Sequence, residues 1–177
     1  NAFCFPEQWS EISEMTSSDS TSPNPLVVAL GPELPEFGSW QWVGADVAKE
    51  LSKYFEVKTF RHSLPECDVA LFVKFKPALE KLHLISQQMA VIYCPIDIYG
   101  SRFEIEADAS SLHYFDRVLV HSRRLRSYFE PYTHVEYMDH HTKFAPPLRE
   151  KFVSQGPLLW VGVRSNLPPL VEWVNRH

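Results

Sequence analysis

From Leu26 onward the chain is punctuated by short runs of apolar and β-branched residues, and this rhythm restricts the fold more than any other feature. Seven runs stand out: LVVALGP (26–32), EVKTF (56–60), DVALFVKF (68–75), AVIYCPID (90–97), RVLVHS (117–122), HVEYMD (134–139) and PLLWVGV (157–163). Several are apolar throughout instead of alternating, which is the pattern of strands buried on both faces. Amphipathic stretches lie between them. Val43, Val47, Leu51 and Phe55 recur every four residues, with Ser39 ahead of them as a candidate N-cap. Leu79, Leu82, Ser86 and Met89 mark a second helix, Ile105, Ala109, Leu112 and Phe115 a third, and Leu167, Leu170, Val171 and Val174 a short last one. Strands separated by helices predict parallel crossovers, and so an α/β fold with a mostly parallel sheet and helices on both faces.

The 177 residues suffice for one such core. Residues 1–25 are rich in Ser, Thr, Glu and Pro and read as a flexible or docked tail, with Phe3, Phe5 and Trp9 able to anchor its start. Residues 26–141 hold the α/β domain, and the polar, proline-bearing stretch 142–156 reads as an inter-domain connection. Residues 157–177 then open a second domain of the same kind or supply a returning strand and helix. Because the first residue is Asn1 and not Met, the chain reads as a trimmed piece of a longer protein.

A formal charge of −5 offers no general attraction to nucleic acid or to an anionic membrane, so an anionic ligand has to be captured locally by amides or arginines. Three cysteines, Cys4, Cys67 and Cys94, form no C-x-x-C pair and no even disulfide set, which points to a reducing, cytoplasmic setting. No apolar run approaches the roughly 18–20 residues that span a bilayer, although peripheral contact with a membrane is compatible with this sequence. Oligomeric state leaves no signal in it.

In parallel sheets, ligands bind beyond the carboxyl ends of the strands, so candidate residues are those that close a run. The loop after the first run carries Gly31, Gly38 and Ser39, whose amides can approach a phosphate, but it lacks the G-x-G-x-x-G and P-loop spacings. Trp40 and Trp42 follow and can stack on a sugar ring. Lys74 lies at the end of the third run, and Asp97 ends the fourth with Tyr99 just after it, all expected at one rim; Asp97 alternatively begins a turn before Gly100. His121 and Ser122 close the fifth run, with Ser122 also a candidate helix cap, and Arg123, Arg124 and Arg126 form a solvated helix face. Asp139, His140 and His141 have the chemistry of a zinc, manganese or iron site. That triplet resembles the DHH phosphoesterases, whose further aspartates have no counterpart after the first run here. A metal-dependent hydrolase and a non-catalytic interaction module are therefore the alternatives.

Taken in order, the pieces over residues 26–177 resemble the GT-B glycosyltransferases, which are built from two Rossmann-like halves. LGPELPEFGSWQWVGADVAKEL matches the glycine-bearing loop and helix after the first strand, and DRVLVHSRRLRSYF matches a strand ending in a serine before a helix. DHHTKFAPP stands where that family has a pattern like "NGVDxxxFxP", with Phe144 and Pro146 retained and Asp139-His140-His141 replacing Asn-Gly-Val. LLWVGVRSNLPPLVEW is similar to the following strand, which ends in "VGR". The resemblance implies a Rossmann-like domain of the GT-B N-terminal type, acting on a nucleotide-sugar donor and a saccharide acceptor without a required cofactor. It places the donor phosphates at Gly38, Ser39, Gly162 and Arg164. The acceptor falls to Trp40, Lys74 and Tyr99, and the chemistry to Asp97, His121 and His140. The family's paired glutamates and nucleotide pocket lie beyond the counterpart of His177, so the isolated chain is expected to supply mainly the acceptor side and to be inactive alone.

Overall fold

Six of the seven runs are strands of one sheet in the computed structural model, which describes residues 25–139 and 167–176. They are β1 (Val27–Gly31), β2 (Glu56–Thr59), β3 (Val69–Val73), β4 (Ala90–Cys94), β5 (Arg117–Val120) and β6 (Val135–Tyr137). All pairings are parallel, in the order β2-β1-β3-β4-β5-β6. The seventh run, 157–163, lies outside the described residues, as do the tail and the connection at 142–156. The fold is α/β and Rossmann-like.

Alternation along each strand divides the apolar residues between two faces. Val28, Leu30, Leu71, Val73 and Cys94 belong to one core. A helical segment covers it, with a π-helical turn over Trp40–Ala45 running into α1 (Asp46–Leu51). Ala29, Ala70, Phe72, Val91, Tyr93, Val118 and Val120 point to the opposite core. There they meet α2 (Leu79–Ser86), α3 (Arg102–Ala107), α4 (Ala109–Leu112) and α5 (Arg123–Phe129) through Leu82, Ile85, Ile105, Leu112 and Phe129. Chain reversal explains the division. From β1 the chain steps to β2 on one side, then returns past β1 to β3 and continues the other way, so right-handed crossovers bring the later helices to the second face. The return, residues 60–68, has no helix and buries Phe60 and Cys67 in that second core.

The first helix departs from an even four-residue stripe. Trp40 is buried, and an added Cβ on Gly44 would lie 2.2 Å from its ring. The indole therefore occupies the space a side chain would fill, and the widened turn accommodates it. Ser39 is itself helical and makes no capping bond, contrary to its expected role, and Phe55 lies beyond the end of α1. In α2 the buried face is Leu82 and Ile85, while Leu79 is exposed. The expected third helix is interrupted at Asp108, which separates α3 from α4.

Two aspartates fix the start of the sheet in the same way. Asp68, just before β3, accepts the Val27 amide of β1 at 2.7 Å, and Asp116, just before β5, accepts the Val91 amide of β4 at 2.8 Å. Each satisfies a strand-opening N–H that would otherwise lack a partner in the ladder.

Phe144–His177 form a separate compact unit from Asn1–Lys143. Its described part is α6 (Leu167–Arg176), with Pro168 in the first turn, where a missing amide costs nothing. Leu167, Val171 and Val174 are exposed, and Arg176 pairs with Glu172 one turn earlier. Among the described residues no helix is long and apolar enough to cross a membrane.

Candidate functional site

The reversal between β2 and β3 puts a topological switch point at the carboxyl ends of β1 and β3, the place where ligands bind open parallel sheets. The loop after β1, the turn after β3 and the turn after β4 converge there. Both turns hold a non-glycine residue in the left-handed region, Lys74 at φ 68° and Asp97 at φ 55°. The Phe75 amide donates to the Val73 carbonyl at 2.8 Å across Lys74, a three-residue γ-turn of the positive-φ kind, which is rare and strained. The Lys74 amide is held by the Cys94 carbonyl at 2.8 Å, and its own carbonyl accepts the Tyr93 hydroxyl at 2.9 Å. After β4, the Ile96 amide donates back to Cys94 at 2.9 Å and the chain turns through Asp97.

These turns bring the two side chains face to face. Lys74 Nζ lies 4.0 Å from Asp97 Oδ2, with the lysine side chain 14% exposed and the aspartate 75% exposed. The ammonium also sits 4.9 Å from the centre of the Phe37 ring, which meets Phe75 edge-on at 5.7 Å. An open carboxylate, a sheltered cation and a partly exposed aromatic ring thus share one rim of the sheet. Such a set can hydrogen-bond a hydroxyl while an aromatic surface meets C–H groups.

Tyr99 leans inward. Its hydroxyl donates to Asp108 Oδ2, its ring meets Phe129 edge-on at 5.4 Å, and burial first, then the neighbouring Tyr93, pushes its pKa far upward. Burial likewise pushes Tyr93 up, so both phenols stay protonated. Asp108 also accepts Ser111 Oγ at 2.7 Å and pairs with Lys76 Nζ at 3.0 Å.

The sequence-derived candidates separate into groups. Lys74 and Asp97 come together, while Tyr99 points inward to Asp108 and to the Tyr93 hydroxyl. Gly38 is exposed at the start of the helical segment that follows the β1 loop, where an added Cβ would meet no described atom within 4 Å. Ser39 follows it, and its buried hydroxyl has no hydrogen-bond partner among the described residues. Trp40 lies in the core, 6% exposed, away from any surface on which a sugar could stack. His121 is half-buried at the end of β5, and Ser122 caps α5 by accepting the Leu125 amide at 3.5 Å. Asp139 is exposed and accepts the Tyr137 hydroxyl, which raises the pKa of Tyr137. His140, His141, Gly162 and Arg164 lie outside the described residues. Among the described residues no three His, Cys, Asp or Glu side chains gather as a metal-binding set. Sequence reasoning missed Phe37, Lys76 and Asp108; an aspartate in the middle of an apolar helical stripe was the available signal for the last.

No family model, no curated protein and no solved structure matches the chain.

Proposed function

We propose that this chain is the acceptor-side domain of a sugar-nucleotide-dependent glycosyltransferase, with its saccharide acceptor bound over Lys74, Asp97 and Phe37. The observation that carries the reading is the meeting of Lys74 and Asp97, each in a left-handed turn, at the carboxyl rim of the sheet. Strain of this kind costs on the order of 1–3 kcal/mol per residue and persists where the surroundings impose it, commonly at ligand sites. The parallel sheet and the order of motifs along residues 26–177 agree with the GT-B resemblance.

In such a reaction the bond from the sugar's anomeric carbon to the nucleoside diphosphate breaks, and a bond to the acceptor oxygen forms. The acceptor hydroxyl loses its proton, and Asp97 is the carboxylate placed to receive it. Lys74 orients that carboxylate from 4.0 Å away, and the Phe37 edge supports the apolar side of the sugar ring. Gly38 and Ser39 face the donor phosphates, where amides oppose the charge developing on the leaving diphosphate.

The test is calorimetric titration of the chain with neutral saccharides and with UDP, GDP and their sugar conjugates, with and without magnesium or manganese. Metal-independent saccharide binding that weakens at least about tenfold in Asp97→Asn, a change of about 1.4 kcal/mol, supports the reading. Absence of saccharide and nucleotide binding overturns it, and so does metal uptake that disappears in His140→Ala.

A further inference from the structure

Lys74 and Asp97 are each followed two residues later by a side chain that ends on the same carboxylate. Lys76 Nζ reaches Asp108 Oδ1 at 3.0 Å, and the Tyr99 hydroxyl donates to Asp108 Oδ2. One oxygen therefore ties down the turn after β3, and the other ties down the turn after β4. Asp108 is itself fixed. It sits at the α3–α4 break with its amide donating to the carbonyls of Glu104 and Ile105, and the single Ser111 Oγ proton is shared between its carbonyl at 2.9 Å and Oδ1 at 2.7 Å. The second end of the β3 turn is held by Tyr93, whose hydroxyl donates to the Lys74 carbonyl and whose buried ring stacks on Phe115 at 4.8 Å.

We propose that Asp108 is a positioning residue that sets the spacing of Lys74 and Asp97, one carboxylate oxygen clamping each of the two turns that carry them. Its own partners are Lys76, Tyr99 and Ser111, and it acts on the rim only through the first two. The interruption of an otherwise continuous apolar stripe at position 108 follows from this role. An uninterrupted helix would leave the residue to serve its own turn, whereas the break frees the carboxylate to bridge two others. The functional meaning of the clamp rests on reading the Lys74–Asp97 rim as the saccharide site, but the clamp can be tested without any ligand.

The experiment is native-state amide hydrogen exchange, followed by NMR, on the full chain and on Lys76→Met, Tyr99→Phe and Asp108→Asn. Tyr99→Phe is isosteric and keeps the ring in the core. The Phe75 and Ile96 amides report the two turns, and the Leu71 and Phe72 amides of β3 report the fold. Lys76→Met is expected to speed exchange at Phe75 about tenfold or more with Ile96 little changed, and Tyr99→Phe to speed Ile96 by as much with a smaller effect at Phe75, because Tyr99 also meets the Tyr93 hydroxyl that holds the Lys74 carbonyl. Asp108→Asn is expected to speed both, with Leu71 and Phe72 unaffected. Equal acceleration at all four amides, or no acceleration at the two turns, overturns the proposal. Saccharide titration of the same variants then separates the two readings. Selective loosening accompanied by weaker saccharide binding supports both, while selective loosening in a chain that binds no saccharide leaves the clamp standing and removes the transferase.

Discussion

At positions 74 and 97 the ordinary ranking of alanine over glycine should reverse. In most backbone conformations glycine is worse than alanine by roughly 0.5–1 kcal/mol, because the unfolded chain gains freedom. Lys74 and Asp97 have φ values of 68° and 55°, where a Cβ crowds the carbonyl that follows. That crowding costs about 1–2 kcal/mol per residue. Glycine escapes the crowding and returns about 0.4–1 kcal/mol of it through the unfolded state, leaving a net advantage of about 1 kcal/mol. The comparison isolates the backbone, because Asp97→Gly and Asp97→Ala lose the same contact with Lys74, and Lys74→Gly and Lys74→Ala lose the same ammonium contacts over Phe37. Urea unfolding is the assay. With a slope of about 2 kcal/mol/M the glycine variant of each pair should unfold about 0.5 M later than its alanine partner, at unchanged slope. Because the two residues touch, each pair has to be measured alone before the double substitutions are compared. Equal midpoints, or a later midpoint for alanine, would refute both left-handed turns and with them the case for a strained rim.

Gly44→Ala should destabilise the domain by about 1–3 kcal/mol, the usual cost of overpacking, because its new methyl falls on the Trp40 ring. Thermal unfolding measures the loss, and a shift in tryptophan fluorescence would report the displaced indole. Stability should also fall at alkaline pH. Burial pushes the Cys94 thiol from 9.0 to about 12, and burial is again the leading cause of a rise in Cys67 from 9.0 to about 11. Above pH 9 the unfolded chain gives up these protons while the folded chain keeps them. The stabilisation is therefore complete below pH 9 and is lost as the pH climbs toward 11–12. For Cys94 the full effect is about 4 kcal/mol on the scale of about 1.4 kcal/mol per pH unit. Urea midpoints between pH 8 and 11 should decline less steeply in Cys94→Ala; an identical decline would show that Cys94 is not the source.

The strands were legible because a strand buried on both faces has to be apolar at successive positions, and six of the seven runs satisfy this within the described residues. Their ends were less legible. The run at 90–97 looks continuous, but pairing stops at Cys94, where Pro95 has no amide to donate and Ile96 turns back on Cys94. The π-helical turn has no signature in periodicity, since it depends on one indole finding the space above Gly44. The break at Asp108 is of the same kind. Its partners, Lys76 and Tyr99, lie 32 and 9 residues away. Lys74 and Asp97 could be named from their position at strand ends, whereas Phe37 could not, because its place beside Lys74 follows from the course of a loop.

The two ends of the sheet use polar side chains differently, and this difference explains why the candidate site lies where it does. At the amino ends, Asp68 and Asp116 are committed to strand amides, and Thr133 donates to the Phe115 carbonyl at 3.1 Å. A side chain bonded to the backbone in this way closes a gap in the ladder, and a ligand competing for it would open the sheet. At the carboxyl ends the polar groups mostly bind one another, with Lys74 facing Asp97 while Lys76 and Tyr99 share Asp108. The pair nearer solvent is the longer and weaker contact, since an exposed ion pair contributes about 0–1 kcal/mol. The pair farther inside is shorter and more enclosed. A hydroxyl arriving at Asp97 therefore replaces little, while the geometry that receives it is held by a network the ligand does not have to disturb.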